Sequence, residues 1–140
     1  MNIETRHLAP YLPYNLMCKV KDEGKIVVAE MHSIYADGTC TFCNTVESEK
    51  GFDWIVPILR PLKDIDIPIE IQGQKIIPLE YISTSKADSQ QTMKRIENKQ
   101  SLDVLEFWKY ERLFQLHFDV FNLISEGIAE PFESQGVSDK

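Results

Sequence analysis

Two cysteines three positions apart are the most obvious candidates for chemistry in this sequence. Cys40 and Cys43 have the C-x-x-C spacing that redox pairs and zinc sites use. A zinc site needs more ligands, and Cys18, His7 and His32 are the residues that could supply them. The Thr-Phe pair between the cysteines favours a strand, in which alternate side chains point to opposite faces. We therefore expect small buried side chains here, and the alternative is a metal-binding protein or small enzyme that uses this pair.

One histidine and three carboxylates are the other groups that could act as a base or bind an ion. His117 lies among phenylalanines on an apolar helical face, which favours a core histidine. No serine or cysteine is placed beside it by spacing, so a nucleophile–base pair has no support. Asp64, Asp66 and Glu70 could bind a divalent cation, but they flank a turn and are expected to face water. The sequence predicts no catalytic residue and no cofactor.

Trp108 is the candidate interface residue. It falls on the polar side of the predicted C-terminal helix, and an exposed tryptophan marks an interface more often than other residues do. The expected partner is another protein or a second copy of this chain.

Charge and hydropathy exclude some classes of partner. The chain has 140 residues, of which 43% are apolar, and a formal net charge of −7. No basic patch is visible, so nucleic-acid binding is not expected. An acidic DNA mimic needs clustered carboxylates, which are absent, and it ranks as a distant third function. No run of 18 apolar residues exists, so no membrane segment is predicted. Three cysteines, an odd number, without a signal-peptide pattern indicate reduced thiols in a cytosol.

The element expected to organise the fold is a helix over Tyr110–Ile128. Its apolar residues cover an arc of about 220° at the helical period, well beyond a surface stripe. Gly127 is a common type of helix stop. Lys109 would lie on the apolar face if the helix were extended backwards, which predicts a break near Phe107–Lys109.

Strands are predicted for most of the first half. Asp22-Glu23-Gly24 and Asp37-Gly38 are hairpin turns between them. The predicted strands are Met17–Lys21, Lys25–Tyr35, Thr39–Val46, Phe52–Leu59, Ile67–Ile71 and Lys75–Tyr81. The polar stretch 83–100 is predicted to be a mobile loop, with at most a short surface helix in its second half. The fold class is therefore α+β: an antiparallel sheet of about five or six strands packs around the long C-terminal helix. Residues 1–131 form one domain, and 132–140 form a flexible tail.

Three sequence blocks carry a resemblance to a known group of proteins. They are LAPYLPYNL at Leu8–Leu16, ILRPLKDI at Ile58–Ile65 and HFDVFNLISEGIAE at His117–Glu130. In this order they resemble blocks in small proteins of unassigned function encoded by phages and prophages of gut Bacteroidetes. Glycine often stands there in place of Asn15 and Asn122. We expect a left-handed turn at Asn15 and an ordinary position on the polar side of the helix at Asn122.

The resemblance implies a phage or prophage origin, and it carries over no active site. The predicted function is that of a phage accessory or virion-associated protein that binds another protein. It would act in the cytoplasm of a bacterial host or on the virion.

Overall fold

A computed structural model describes residues 3–43, 46, 49–98 and 106–132. These residues form an α+β fold, as predicted. The strands are β1 (Met17–Asp22), β2 (Lys25–Ile34), β3 (Thr39–Phe42), β4 (Lys50–Gly51), β5 (Ile55–Leu59), β6 (Ile69–Ile71), β7 (Gln74–Ile76) and β8 (Glu130–Pro131). The α-helices are α1 (Thr5–Leu8), α2 (Pro78–Tyr81), α3 (Lys86–Asn98) and α4 (Phe107–Gln115). Short 3₁₀ helices cover Ala9–Tyr14, Phe52–Trp54 and Leu62–Asp64.

The main sheet is antiparallel over most of its width. In the described part of the chain its strand order is β4-β3-β2-β1-β5-β8, and the β5–β8 pair is parallel. Glu23 and Gly24 both have positive φ, 51° and 78°, as a tight hairpin between β1 and β2 requires. At the next hairpin, Asp37 Oδ1 accepts hydrogen bonds from the N–H and the hydroxyl of Thr39. Both predicted hairpins are confirmed.

The main sheet must curl. Gly51 and Ile55 are four residues apart and span at most about 14 Å. They lie on β4 and β5, which would stand about 19 Å apart in a flat sheet with three strands between them. A bulge between Met31 and Ser33 bends β2, the strand shared by both halves of the sheet. Curling brings β4 towards β1, where Lys50 Nζ lies 3.0 Å from Asp22 Oδ1.

The apolar residues form two clusters. The first lies on the inner face of the curled sheet, where the N-terminal 3₁₀ segment covers it. Tyr11 of that segment is fully buried, and its ring meets Phe114 of α4 edge-on at 4.9 Å. The segment ends at Asn15 with φ of 62°, which confirms the predicted left-handed turn. The second cluster joins α3 and α4 to the β6–β7 hairpin.

The predicted long C-terminal helix is wrong. α4 ends at Gln115, and His117 has a φ of 64° that no right-handed helix allows. Phe118 then forms a parallel bridge with Arg60. The Asp119 carboxylate accepts the N–H groups of Leu123 and Ile124 at 2.7 and 2.8 Å. These side-chain bonds hold a series of turns where the sequence predicted three further turns of helix.

The predicted mobile loop is also wrong over most of its length. α3 occupies Lys86–Asn98, and its inner face buries Thr92 and Ile96. Residues 99 and 100 and the predicted tail from 133 onward lie outside the described residues.

Candidate functional site

The two cysteines of the C-x-x-C pair lie in different surroundings. Cys40 is buried in β3, and its thiol donates to the Lys50 carbonyl at 3.4 Å. Cys43 follows the strand, and its sulfur lies 3.8 Å from a carboxylate oxygen of Glu30. Burial raises the pKa of the Cys40 thiol to about 11 and also raises that of Cys18. Thiols with raised pKa stay protonated at neutral pH and are poor nucleophiles.

The remaining candidate ligand, His32, is exposed on β2. Among the residues that the structure describes, no three His, Cys, Asp or Glu side chains are grouped so that they could hold a metal ion. The structure therefore does not bring the predicted ligand set together.

Trp108 is half-buried on α4 and stacks against the helix itself. Its ring lies 5.0 Å from the Arg112 guanidinium carbon, and its indole N–H donates to Glu106 at 3.3 Å. Tyr81 covers Arg112 from α2, with 4.6 Å between the guanidinium carbon and the ring centroid. The guanidinium thus connects two aromatic rings from different helices. The interface role of Trp108 stays a prediction.

A buried ion pair is the polar feature that the sequence analysis missed. Lys109 is fully buried, and its Nζ lies 2.8 and 2.9 Å from the two carboxylate oxygens of Asp88 and 2.7 Å from the Thr92 hydroxyl. α4 begins at Phe107, with Glu106 extended at its N-cap, which places a helix boundary at the predicted break. The helix nevertheless contains Lys109, because this lysine has partners on α3. The feature of the sequence that could have indicated this site is the i, i+4 spacing of Asp88 and Thr92, which places both side chains on the same face of a helix.

The two inward histidines are bound to the backbone. Nδ1 of His7, a buried residue, accepts the N–H of Glu4 at 3.0 Å. Nε2 of His117 lies 2.6 Å from the Tyr14 carbonyl oxygen. Loss of hydration lowers the pKa of both imidazoles. One nitrogen of each ring therefore bonds to a backbone group, and both histidines help to hold the fold.

The outer face of the main sheet leaves large apolar side chains exposed to water. Along β2, Ala29 and Met31 are buried, while Ile26 and Val28 on the opposite face are 65% and 48% exposed. The outer sheet face consists of Met17, Lys19, Lys21, Ile26, Val28, Glu30 and Val56. Ile26 and Val28 are thus two neighbouring β-branched side chains exposed to water on the first half of β2, whose described partners all lie on β1, and an exposed apolar patch is a candidate for a binding surface.

Lysines alternate with these apolar side chains across the strands. Lys19 lies between Val28 of β2 and Val56 of β5, and Lys21 lies opposite Ile26. Lys19 Nζ pairs with a Glu130 carboxylate oxygen at 2.9 Å. Lys21 is exposed and makes no ion pair with any described residue. The outer sheet face therefore presents apolar contact area and a cation that is free to bind.

No family model, no curated protein and no solved structure matches this chain. Within the described residues, the helices are too short or too polar to cross a membrane.

Proposed function

We propose that the protein is a phage-encoded accessory or virion-associated protein that acts in a bacterial host by binding another protein through the outer sheet face. The observation that carries the binding is the exposure of Ile26 and Val28 side by side on the first half of β2, whose described partners all lie on β1. The resemblance of three sequence blocks to proteins of phages and prophages supports the origin.

Burial of these side chains supplies a driving force for association. Covering one large aliphatic side chain contributes about 1.5–3 kcal/mol, so Ile26 and Val28 can act together as an apolar anchor. Lys21 beside them favours a partner with carboxylates at the rim of its contact surface, because charge complementarity speeds encounter and selects partners.

A different protein fits this surface better than a second copy. A two-fold dimer brings the same patch of both chains together, and among the described residues that patch carries Lys19 and Lys21 but one carboxylate, Glu30, so the lysines of one copy would face a surface with an excess of lysines. Two chains of net charge −7 also repel each other at long range. The partner is therefore expected to carry an apolar patch with acidic residues around it.

Site-specific photo-crosslinking in infected host cells tests this function. A photo-crosslinking amino acid at Val28 should give one product with a distinct host or phage protein. The same group at Glu111, an exposed position on α4, is the matched control and should not give that product.

The crosslink must also depend on the apolar anchor. Ile26→Lys should abolish the Val28 product while changing the free energy of unfolding by less than about 0.5 kcal/mol, since the residue is exposed. A product that survives Ile26→Lys, or no product at all, would contradict the proposal. A product of twice the chain mass would assign the surface to self-association.

A further inference from the structure

A second, separate surface lies on α3, away from the sheet. A groove of about 430 Å³ runs between α2 and α3. The α3 groove is lined by Leu79, Lys86, Ser89, Gln90, Met93 and Lys94. Its apolar floor is formed by Leu79 and Met93, which are half-buried against the second apolar cluster.

A lysine stands at each end of this floor. Lys86 and Lys94 are eight residues apart, which is about 12 Å along a helix. Both are exposed, and neither makes an ion pair with any described residue. Among the residues that the structure describes, no carboxylate lines the groove itself. Within the same residues, the groove is thus an apolar strip between two cations without ion-pair partners.

The charges around the groove limit where an acidic ligand can lie. Past Leu79, an adjoining hollow carries Asp66 and Glu80. One turn beyond Lys94, Glu97 is exposed on the same side of α3. These carboxylates repel an anion at both ends, so a ligand is confined to the stretch between the two lysines. A long polyanion such as duplex DNA does not fit so short a basic stretch on a chain of charge −7.

We propose that the α3 groove binds a short acidic segment of a partner protein, in which an apolar side chain lies midway between two carboxylates. In an extended segment, residues i, i+2 and i+4 share one face, and the outer two are about 13 Å apart. That spacing matches the separation of Lys86 and Lys94. The apolar residue at i+2 then lies over Leu79 and Met93. This site is independent of the outer sheet face, and the two together would let the protein join two partners.

A defined peptide tests the groove without knowledge of the natural partner. The probe is an acetylated, amidated peptide with the core Glu-Ser-Leu-Ser-Glu, titrated into isotope-labelled full-length protein and followed by amide chemical shifts. We expect shifts at Lys86, Ser89, Met93 and Lys94 that weaken with added salt. The peptides Gln-Ser-Leu-Ser-Gln and Glu-Ser-Ser-Ser-Glu should each bind more weakly.

Charge reversal provides the matched comparison. The double variant Lys86→Glu/Lys94→Glu should lower the peptide affinity about tenfold, because two surface ion pairs are replaced by repulsion. The control Lys21→Glu/Lys25→Glu changes the net charge equally at exposed lysines of the β1–β2 hairpin and should leave the affinity within about twofold.

Several results would overturn the proposal. These are an absence of shifts in the α3 groove, shifts centred elsewhere, or equal loss of affinity in both double variants. Self-association that the peptide competes away would assign the groove to a second copy. Salt-sensitive binding of duplex DNA there would assign it to nucleic acid. The Val28 crosslink tests the proposed function through the outer sheet face, and the peptide titrations test the α3 groove. A failure of one test therefore leaves the other unaffected.

Discussion

At the scale of single residues, Lys109 shows how a polar side chain can organise a core. It is fully buried, yet its ammonium group has three oxygen partners within 2.9 Å on α3. Asp88 also accepts the backbone N–H of Thr84 at 2.9 Å, so one carboxylate both caps the start of α3 and binds α4. The sequence places Lys109 on an apolar face but cannot place Asp88 opposite it, because that contact spans 21 residues.

The two halves of this ion pair should differ in their effect on stability. Among the described residues, Asp88→Ala leaves the buried ammonium with only one carboxylate contact, the longer one to the half-exposed Glu106 at 3.8 Å, and should lower the free energy of unfolding by about 3–5 kcal/mol. Lys109→Met leaves Asp88, whose side chain is 20% exposed, and should cost less. The double variant should be more stable than Asp88→Ala alone, since the buried charge is gone. Denaturant unfolding measures all three, and Lys94→Met, at an exposed lysine, is the control.

The same pair has a predictable pH dependence. The hydrogen bond from Lys109 and that from the Thr84 N–H lower the pKa of the Asp88 carboxyl below its ordinary value of 3.8. A lowered pKa in the folded state contributes stability above the unfolded-state value, and this stability is lost as pH falls through the folded-state value. Lys109→Met should therefore lose less stability than the wild type on acidification through this range. An equal loss in both proteins would contradict this assignment.

At the scale of elements, the C-terminal segment shows why a helical period can mislead. Leu113, Leu116 and Phe118 pack in the second apolar cluster, whereas Phe121 and Leu123 pack with the first. When apolar residues of one segment are divided between two clusters, their spacing along the sequence can be the same as that of a single helix with a wide apolar face. What the period does not show is that Asp119 bonds to nearby N–H groups and so competes with a helix.

Other elements were predictable to the extent that local chemistry decides them. The Asp-Glu-Gly and Asp-Gly turns fix the two hairpins that β1, β2 and β3 form. The sequence predicted most of the ends of these strands to within one or two residues. α3 was predicted only as a short surface helix in the second half of a loop, because its surface is polar and few of its side chains are buried. The outer sheet face was not predictable, since Ile26–Met31 is almost wholly apolar and alternation could not say which face is exposed.

Asn122 provides a test of the turns that replace the helix. Its φ of 62° lies in the left-handed region, which glycine adopts without steric cost, so the ordinary helical position that the sequence predicted for Asn122 is wrong. Asn122→Gly should be neutral or slightly stabilising, whereas Asn122→Val should cost about 1–2 kcal/mol because of steric strain. Glu126→Val, at an exposed position without positive φ, should cost less. Thermal unfolding measures the three, and a larger loss for Gly than for Val would indicate a helical Asn122.

At the scale of the whole molecule, the segment from α4 to Ile128 joins the two apolar clusters. Phe114 packs on the sheet cluster, while Leu113, its neighbour on the same helix, is buried in the other. If this segment unfolds, apolar side chains of both clusters become exposed to water. The described residues should therefore unfold as one cooperative unit, although they contain two cores.

The two tryptophans report on the two clusters separately. Trp54 stands at the start of β5 beside the sheet, and Trp108 lies on α4. The variants Trp108→Phe and Trp54→Phe each keep one tryptophan. In each variant, denaturant unfolding followed by the fluorescence of that tryptophan should have the same midpoint and slope as unfolding followed by circular dichroism. Phe118→Ala, at a fully buried residue of the second cluster, should lower the Trp54 midpoint as much as the Trp108 midpoint. If Phe118→Ala shifts only the Trp108 transition, the chain contains two independently folding units, and the prediction of one domain over residues 1–131 is wrong.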